Sequence, residues 1–200
     1  MNRSISYYYN DKFNKYQNSH LRVDWKSRKT QYKRLSILLK IIDREKNFTI
    51  TDYGSGTGEL INFLKKKKYK KYYGYDVSSE MVNFCKKKYK DTKNTFFFNS
   101  SKIVTKTDFL ISSGVFNVRL NTNINKWEKK ILRTIDHFNN FSKKGFSFNL
   151  LTSYSDPNLK KKKLYYAKPE KIFNYCKKKY KDVFLIHDFE LYDFFIFVKK

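Results

Sequence analysis

One stretch constrains the fold more than any other: Thr49-Ile50-Thr51-Asp52-Tyr53-Gly54-Ser55-Gly56-Thr57-Gly58-Glu59-Leu60. It reads as a strand with an acid at its end, three glycines at alternating positions, and the start of a helix. Glycines in such a turn remove the side chains that would keep a ligand away from the backbone. The helix start then offers unpaired amides to an anionic group. The chain has only six glycines, and three of them stand in this one turn. Asp76 lies 24 residues beyond Asp52, at the tip of the next strand. A carboxylate there suits a ribose diol, accepting from both hydroxyls.

The rest of the chain repeats the strand-helix rhythm. Apolar residues at helical spacing mark a helix within 27–44, and strands are expected at 48–53, 72–76, 94–98, 108–113 and 145–151. Helices are expected from Gly58 to Lys67, from Ser79, over 125–141, and from Pro169 to Tyr180. Ser78 or Ser79 caps the second of these, and Pro169 suits a first helical turn. Two closing strands, 183–188 and 192–198, are too near each other for a crossover helix and should pair as an antiparallel hairpin. Residues 1–20 are polar and Tyr-rich, and are expected to be loosely ordered in part. The segment 83–91 returns almost unchanged at 174–182, in each case ending a helix with lysines that complement the helix dipole. Alternating elements of this kind specify an α/β fold with a doubly wound, mostly parallel sheet.

The dinucleotide fingerprint G-x-G-x-x-G would place its third glycine at position 59, which is Glu59. The pattern here, Asp52-x-Gly54-x-Gly56-x-Gly58, resembles motif I of class I S-adenosylmethionine-dependent methyltransferases. Asp76-Val77-Ser78-Ser79-Glu80-Met81 is similar to that family's acid after the second strand and its usual continuation. The closing hairpin is a further likeness, and the resemblance covers about residues 48–200. It implies a Rossmann-like, seven-stranded sheet over 47–200, preceded by an N-terminal segment and helix over 1–46 that can serve as a lid. It also implies S-adenosylmethionine as cofactor. The methionine moiety would lie over Gly54, Ser55, Gly56 and Gly58, with Asp52 acting on its ammonium and Asp76 on the ribose hydroxyls. Val77 and Met81 would pack on the adenine, with Asn99 and Ser100 near its amino group. Ser113 and Gly114 would line the methyl-transfer side.

The formal charge of +26 first suggests a nucleic-acid partner. The composition offers another source: 37 Lys stand against 7 Arg, with 18 Asn and a single Ala, Ala167. That bias follows codon A+T content. Phosphate and base readers favour Arg for its bidentate fork, and Arg is scarce here. After the fourth strand comes Ser112-Ser113-Gly114-Val115-Phe116-Asn117, which matches neither the N-P-P-Y tetrad nor the Pro-Cys pair of nucleobase methylating enzymes. The resemblance thus implies transfer to a small-molecule acceptor, with RNA or another nucleic acid as an alternative acceptor. A non-enzymatic nucleotide-binding module is a second alternative, against which the intact glycines and both acids argue.

Methyl transfer needs chiefly alignment of the nucleophile, and a hydroxyl acceptor would add a general base. His187, beside Asp188 at the end of a strand on the sheet's carboxyl edge, is the candidate base. His137 reads as a solvated helix residue. Trp25 and Arg34 in the N-terminal segment, with Asn117 and Asn149, are candidates for a lid or for acceptor contacts. Tyr154, Tyr165 and Tyr166 also fall near that edge. Cys85 and Cys176 form no secreted disulfide framework and have no metal-ligand neighbours, so no metal is expected. With no apolar signal core in residues 1–10 and no window of 18 apolar residues, the sequence predicts a cytoplasmic protein without membrane spans.

Overall fold

The computed structural model of the chain describes residues 4–65, 67–187 and 190–200. Lys66, within the lysine run after the glycine turn, and Asp188, the expected neighbour of a catalytic histidine, lie outside the described residues. Three helices come first: α1 Ile5–Lys15, α2 Ser19–Arg22 and α3 Arg28–Leu38, the last running into a 3₁₀ turn over Leu39–Ile41. Then follow β1 Phe48–Tyr53, α4 Leu60–Leu64, β2 Tyr69–Asp76, α5 Ser79–Lys88, β3 Thr95–Asn99 and β4 Thr107–Ser112. The remainder is α6 Ile124–Phe141, β5 Ser142–Thr152, β6 Tyr166–Ala167, α7 Pro169–Lys179, β7 Asp182–Ile186 and β8 Asp193–Lys199.

The sheet runs β3-β2-β1-β4-β5-β8-β7, with the two-residue β6 added against β5. The first five strands are parallel; β8 is antiparallel to both β5 and β7. The chain order reverses between β1 and β4, so their carboxyl ends open the crevice where ligands bind in doubly wound sheets. Both sheet faces are covered, which is why the central strands are apolar on both sides. On one face Leu35, Leu38, Ile50, Leu60, Tyr72, Cys85, Phe109 and Phe195 join α3, α4 and α5 to the sheet. On the other, Leu110, Ile131, Phe138, Phe146, Phe148, Cys176 and Phe194 join α6 and α7 to it. Along β8 the alternation is visible residue by residue: Phe194, Ile196 and Val198 face α6 and α7, while Phe195 and Phe197 face α3.

Two expectations change. The helix expected from Gly58 to Lys67 is one short helix ending at Leu64, because the chain must turn within a few residues to enter β2 at Tyr69. The polar N-terminus is helical rather than loose. Ser4 caps α1 by accepting from Tyr7 N, and tertiary contacts then hold a helix whose own polarity gave no signal. Phe13 packs edge-on against Phe84 of α5 with ring centroids 5.5 Å apart. Asn10 bridges two serines at the start of α5, accepting from Ser78 Oγ at 2.7 Å and donating to Ser79 Oγ at 3.2 Å. Both copies of the repeated segment end a helix, α5 and α7, with three lysines in the last turn.

Candidate active site

The site begins where β1 stops. Gly54 N and Ser55 N both donate to Tyr75 O, at 2.7 and 3.0 Å, folding the chain back over the end of β2. Gly54, Gly56 and Gly58 all take positive φ, and at Gly56 the requirement is also steric. A Cβ there would stand 2.7 Å from Val23 Cγ1, in the loop between α2 and α3. The absent side chain therefore lets the N-terminal segment press directly on the turn.

Asp76 is buried and accepts from two backbone amides, Gly56 N to Oδ2 at 2.8 Å and Ser78 N to Oδ1 at 2.9 Å. Each oxygen keeps acceptor capacity beyond its amide. Burial raises the Asp76 carboxyl above its ordinary range, against the pull of those amides. Asp52 lies deeper and receives the Tyr72 hydroxyl at 2.7 Å. Burial pushes its carboxyl up to about 7, and the Asp76 charge adds to the rise while the Tyr72 bond opposes it. The two acids thus share one desolvated region in which a cation would be strongly favoured.

These groups line a cavity of about 520 Å³ at the carboxyl ends of β1, β2 and β4, within the range of small-molecule sites. Its wall includes Asp52, Gly54, Ser55, Gly56, Asp76, Val77, Met81, Ser100, Ser113, Gly114 and Asn117, together with Trp25 and Arg34 from the N-terminal segment. Gly58 sits behind the turn, against the Tyr89 ring. Asn99 is turned away, its Nδ2 donating to Asp76 O at 3.1 Å. Asn149 also stands behind the wall: its Oδ1 accepts from Gly114 N at 2.9 Å and its Nδ2 donates to Asp193 Oδ1 at 2.6 Å.

Asp193, which the sequence reading did not single out, is fully buried. It receives Nε of Arg34 at 2.8 Å and also its Nη2. The Arg34 guanidinium lies 4.3 Å from the centre of the Trp25 ring, and Trp25 rests on Gly114, where a Cβ would come within 2.6 Å of the indole. Trp25, Arg34, Asp193, Asn149 and Gly114 therefore close a ring of contacts binding the N-terminal segment to the ends of β4, β5 and β8. The nearest signal in the sequence was an acid opening a strand of otherwise apolar residues, where a buried charge needs a cationic partner. The arginines flanking Trp25 in sequence serve elsewhere: Arg22 donates to Tyr16 O and Arg28 lies over Tyr32.

The histidines fall differently from the sequence expectation. His187 is outside the cavity wall; its Nε2 is 2.9 Å from Thr152 Oγ1, and the Tyr154 ring meets it edge-on. It does lie on the carboxyl edge, but past the end of β7. Its ring reaches back to Thr152 at the end of β5, the strand beside β4, but His187 is not among the residues that line the cavity. His137 is not simply solvated. Its Nε2 accepts from Ile103 N at 3.2 Å, and burial lowers its pKa. Tyr165 donates to Glu128, Tyr166 accepts from Lys161 N, and exposed Tyr154 reaches Glu170.

Four residues of the wall carry buried polar atoms without a described partner. Ser55 Oγ, Tyr75 OH, Ser113 Oγ and Gln31 Oε1 are buried with no partner among the described residues, and all four residues line the wall. A nucleoside carrying an amino acid would meet hydroxyls, two carboxylates and an apolar bed at Val77 and Met81, so these residues fit S-adenosylmethionine.

Comparison with known proteins decides the family. Residues 50–144 match the model of a methyltransferase domain. Rv1506c of Mycobacterium tuberculosis, assigned as a methyltransferase, is 40% identical over 164 residues, spanning 81% of this chain and 99% of that protein. The chain belongs to the class I S-adenosylmethionine-dependent methyltransferases. Solved structures share the fold at much lower identity. The N-methyltransferase NodS of Bradyrhizobium japonicum, in complex with S-adenosyl-L-homocysteine, superposes with a TM-score of 0.70 at 10% identity, covering 98% of this chain and 97% of that one. Magnesium protoporphyrin IX methyltransferase of Synechocystis PCC 6803, with bound S-adenosylmethionine, gives 0.59 at 15% identity over 86% and 79% of the two chains. As a member of this family the chain is an enzyme that uses S-adenosylmethionine. No helix among the described residues is long and apolar enough to cross a membrane.

Proposed function

We propose that this methyltransferase acts on a small-molecule acceptor held under its N-terminal segment. The observation that carries the reading is the 520 Å³ cavity roofed by Trp25 and Arg34, which are fixed in place by the buried Arg34–Asp193 pair. When bound, the cofactor supplies a methyl carbon already activated by its sulfonium sulfur. The chain's own residues bind, align and exclude water. The turn from Gly54 to Gly58 seats the methionine moiety, with Asp52 facing its ammonium. Asp76 uses its remaining acceptor sites on the ribose hydroxyls, Val77 and Met81 flank the adenine, and Ser100 borders it. Ser113 and Gly114 line the side from which the acceptor approaches, opposite Trp25. Asn149 acts through Gly114 by fixing its amide, and Asp193 acts through Asn149 and Arg34.

The N-terminal segment serves as a lid as well as a staple. Val23 and Trp25 press on Gly56 and Gly114, so the same contacts that anchor α2 and α3 also cover the cavity on that side. Transfer from methyl-labelled S-adenosylmethionine tests the reading, with a deproteinised small-molecule extract and total RNA offered in separate reactions. Label entering the small-molecule fraction supports it. Label entering RNA with a steep salt dependence would instead assign the +26 charge to phosphate contacts.

A further inference from the structure

Two residues on the cavity wall, Gln31 and Ser113, carry buried polar atoms that remain unsatisfied among the described residues. Gln31 is only 6% exposed, yet its Oε1 has no partner among the described residues. Ser113 Oγ is likewise buried and unpaired. Both line the cavity. Gln31 sits one turn before Arg34 on α3, so it shares the face that carries Arg34 over Trp25 and Trp25 over Gly114. The neighbouring Asn117 differs in that its Oδ1 already takes Leu151 N at 3.1 Å, leaving one acceptor site rather than two.

The outer carboxylates on the same wall are engaged, and Lys26, Lys130 and Lys161 line it as well. Asp24 holds Lys12 and Tyr8, Glu59 holds Tyr32 and Lys88, and Glu190 holds Lys33. Asp52 and Asp76 belong to the cofactor end. No histidine lines the cavity among the described residues. A hydroxyl nucleophile would need a positioned base to take its proton; the cavity-lining group whose pKa is lowered by burial is Lys130, whose Nζ lies 4.6 Å from the centre of the Trp127 ring. A neutral amine needs no such base, because its nitrogen already carries a free electron pair, and its N–H groups are the donors that Gln31 Oε1 and Ser113 Oγ lack. The Arg34 guanidinium nearby, together with the sulfonium of the cofactor, disfavours the ammonium form and so favours the nucleophilic one.

We propose that the Gln31 amide and the Ser113 hydroxyl anchor a neutral amine nitrogen facing the methyl group, making this chain an N-methyltransferase of amines. The inference rests on the cofactor placement proposed above. The nitrogen lone pair forms the N–C bond as the C–S bond breaks, and the C–S electron pair stays on sulfur. The products are neutral S-adenosylhomocysteine and a methylated ammonium, which releases its proton to water.

The test uses analogues of S-adenosylhomocysteine whose sulfur is replaced by nitrogen bearing a short arm, so that the cofactor half supplies the affinity and the arm probes the acceptor position. Four arms are compared by calorimetry: 2-aminoethyl, 2-hydroxyethyl, carboxymethyl and propyl. The aminoethyl arm should bind about tenfold tighter than the propyl arm, the effect of satisfying a buried acceptor. That ratio should rise with pH as the arm loses its proton. In Gln31→Leu, and in the near-isosteric Gln31→Met, it should collapse to about twofold or less. A propyl or hydroxyethyl arm that binds as well overturns the proposal, as does a ratio that falls with pH or survives both substitutions. Tighter binding of the carboxymethyl arm also overturns it, since Gln31 would then present Nε2 to a carboxylate. If S-adenosylhomocysteine itself fails to bind, the cofactor placement has failed, and not the amine assignment alone.

Discussion

On the proposed cofactor placement, Asp52 trades stability for cofactor binding, and Asp52→Asn exposes the trade. The carboxyl is 3% exposed, receives the Tyr72 hydroxyl, and is pushed by burial from its ordinary 3.8 up to about 7. A carboxyl raised in the folded state keeps its proton there while the unfolded chain has lost it. Its contribution is thus fully present below about pH 4 and is lost as pH rises to 7. Each pH unit between those limits removes about 1.4 kcal/mol, so the loss from pH 5 to pH 7 is about 3 kcal/mol. Asparagine never ionises and can still accept the Tyr72 hydrogen bond through its carbonyl. For a chain of this size 1 kcal/mol moves Tm by roughly 2–4 °C. The melting temperature of ligand-free Asp52→Asn should therefore gain roughly 6–12 °C on that of the unsubstituted protein between pH 5 and pH 8, by differential scanning fluorimetry. The same substitution removes the anion proposed to face the cofactor's ammonium, so affinity for S-adenosylhomocysteine should fall. In the unsubstituted protein that affinity should strengthen from pH 5 to about 7 and then level off. Parallel melting curves for the two proteins across this range would refute the reasoning.

Other outcomes follow from the same geometry. Asp76→Asn keeps one acceptor oxygen for Gly56 or Ser78 but loses the charge, and affinity for S-adenosylhomocysteine should drop by about 1–3 kcal/mol, roughly 5- to 150-fold, by calorimetry. Arg34→Met leaves Asp193 charged and unpaired in the core, so urea unfolding should show a loss of about 3–5 kcal/mol. The double substitution Arg34→Met with Asp193→Leu should recover much of that stability, because the uncompensated charge is gone. Equal losses in the single and double variants would mean the pair contributes packing alone.

Local chemistry made most of the fold legible. The Gly54 to Gly58 turn announced itself because positive φ and close approach both demand glycine, and β1 occupies the residues its alternation indicated. The Ser78 cap and the Pro169 start were likewise readable from one or two residues. What stayed hidden depends on pairs far apart in the chain. Asp193 and Arg34 are 159 residues apart, and neither alone shows that the other neutralises it. Helix α1 carries no strong apolar stripe of its own and is held by Asn10 and Phe13 on α5. For His187 the place on the carboxyl edge was readable, whereas its bond to Thr152 and its position outside the cavity wall depend on pairing across the sheet.

One cavity binding one cofactor over the glycine turn and the two acids is the central proposal. Titrating the unsubstituted protein with S-adenosylhomocysteine by isothermal calorimetry at pH 7.5 measures that directly. One-to-one binding well below millimolar ligand, weakened in Asp76→Asn, is the predicted result. No heat of binding at millimolar ligand, or an affinity indifferent to Asp76, would contradict it.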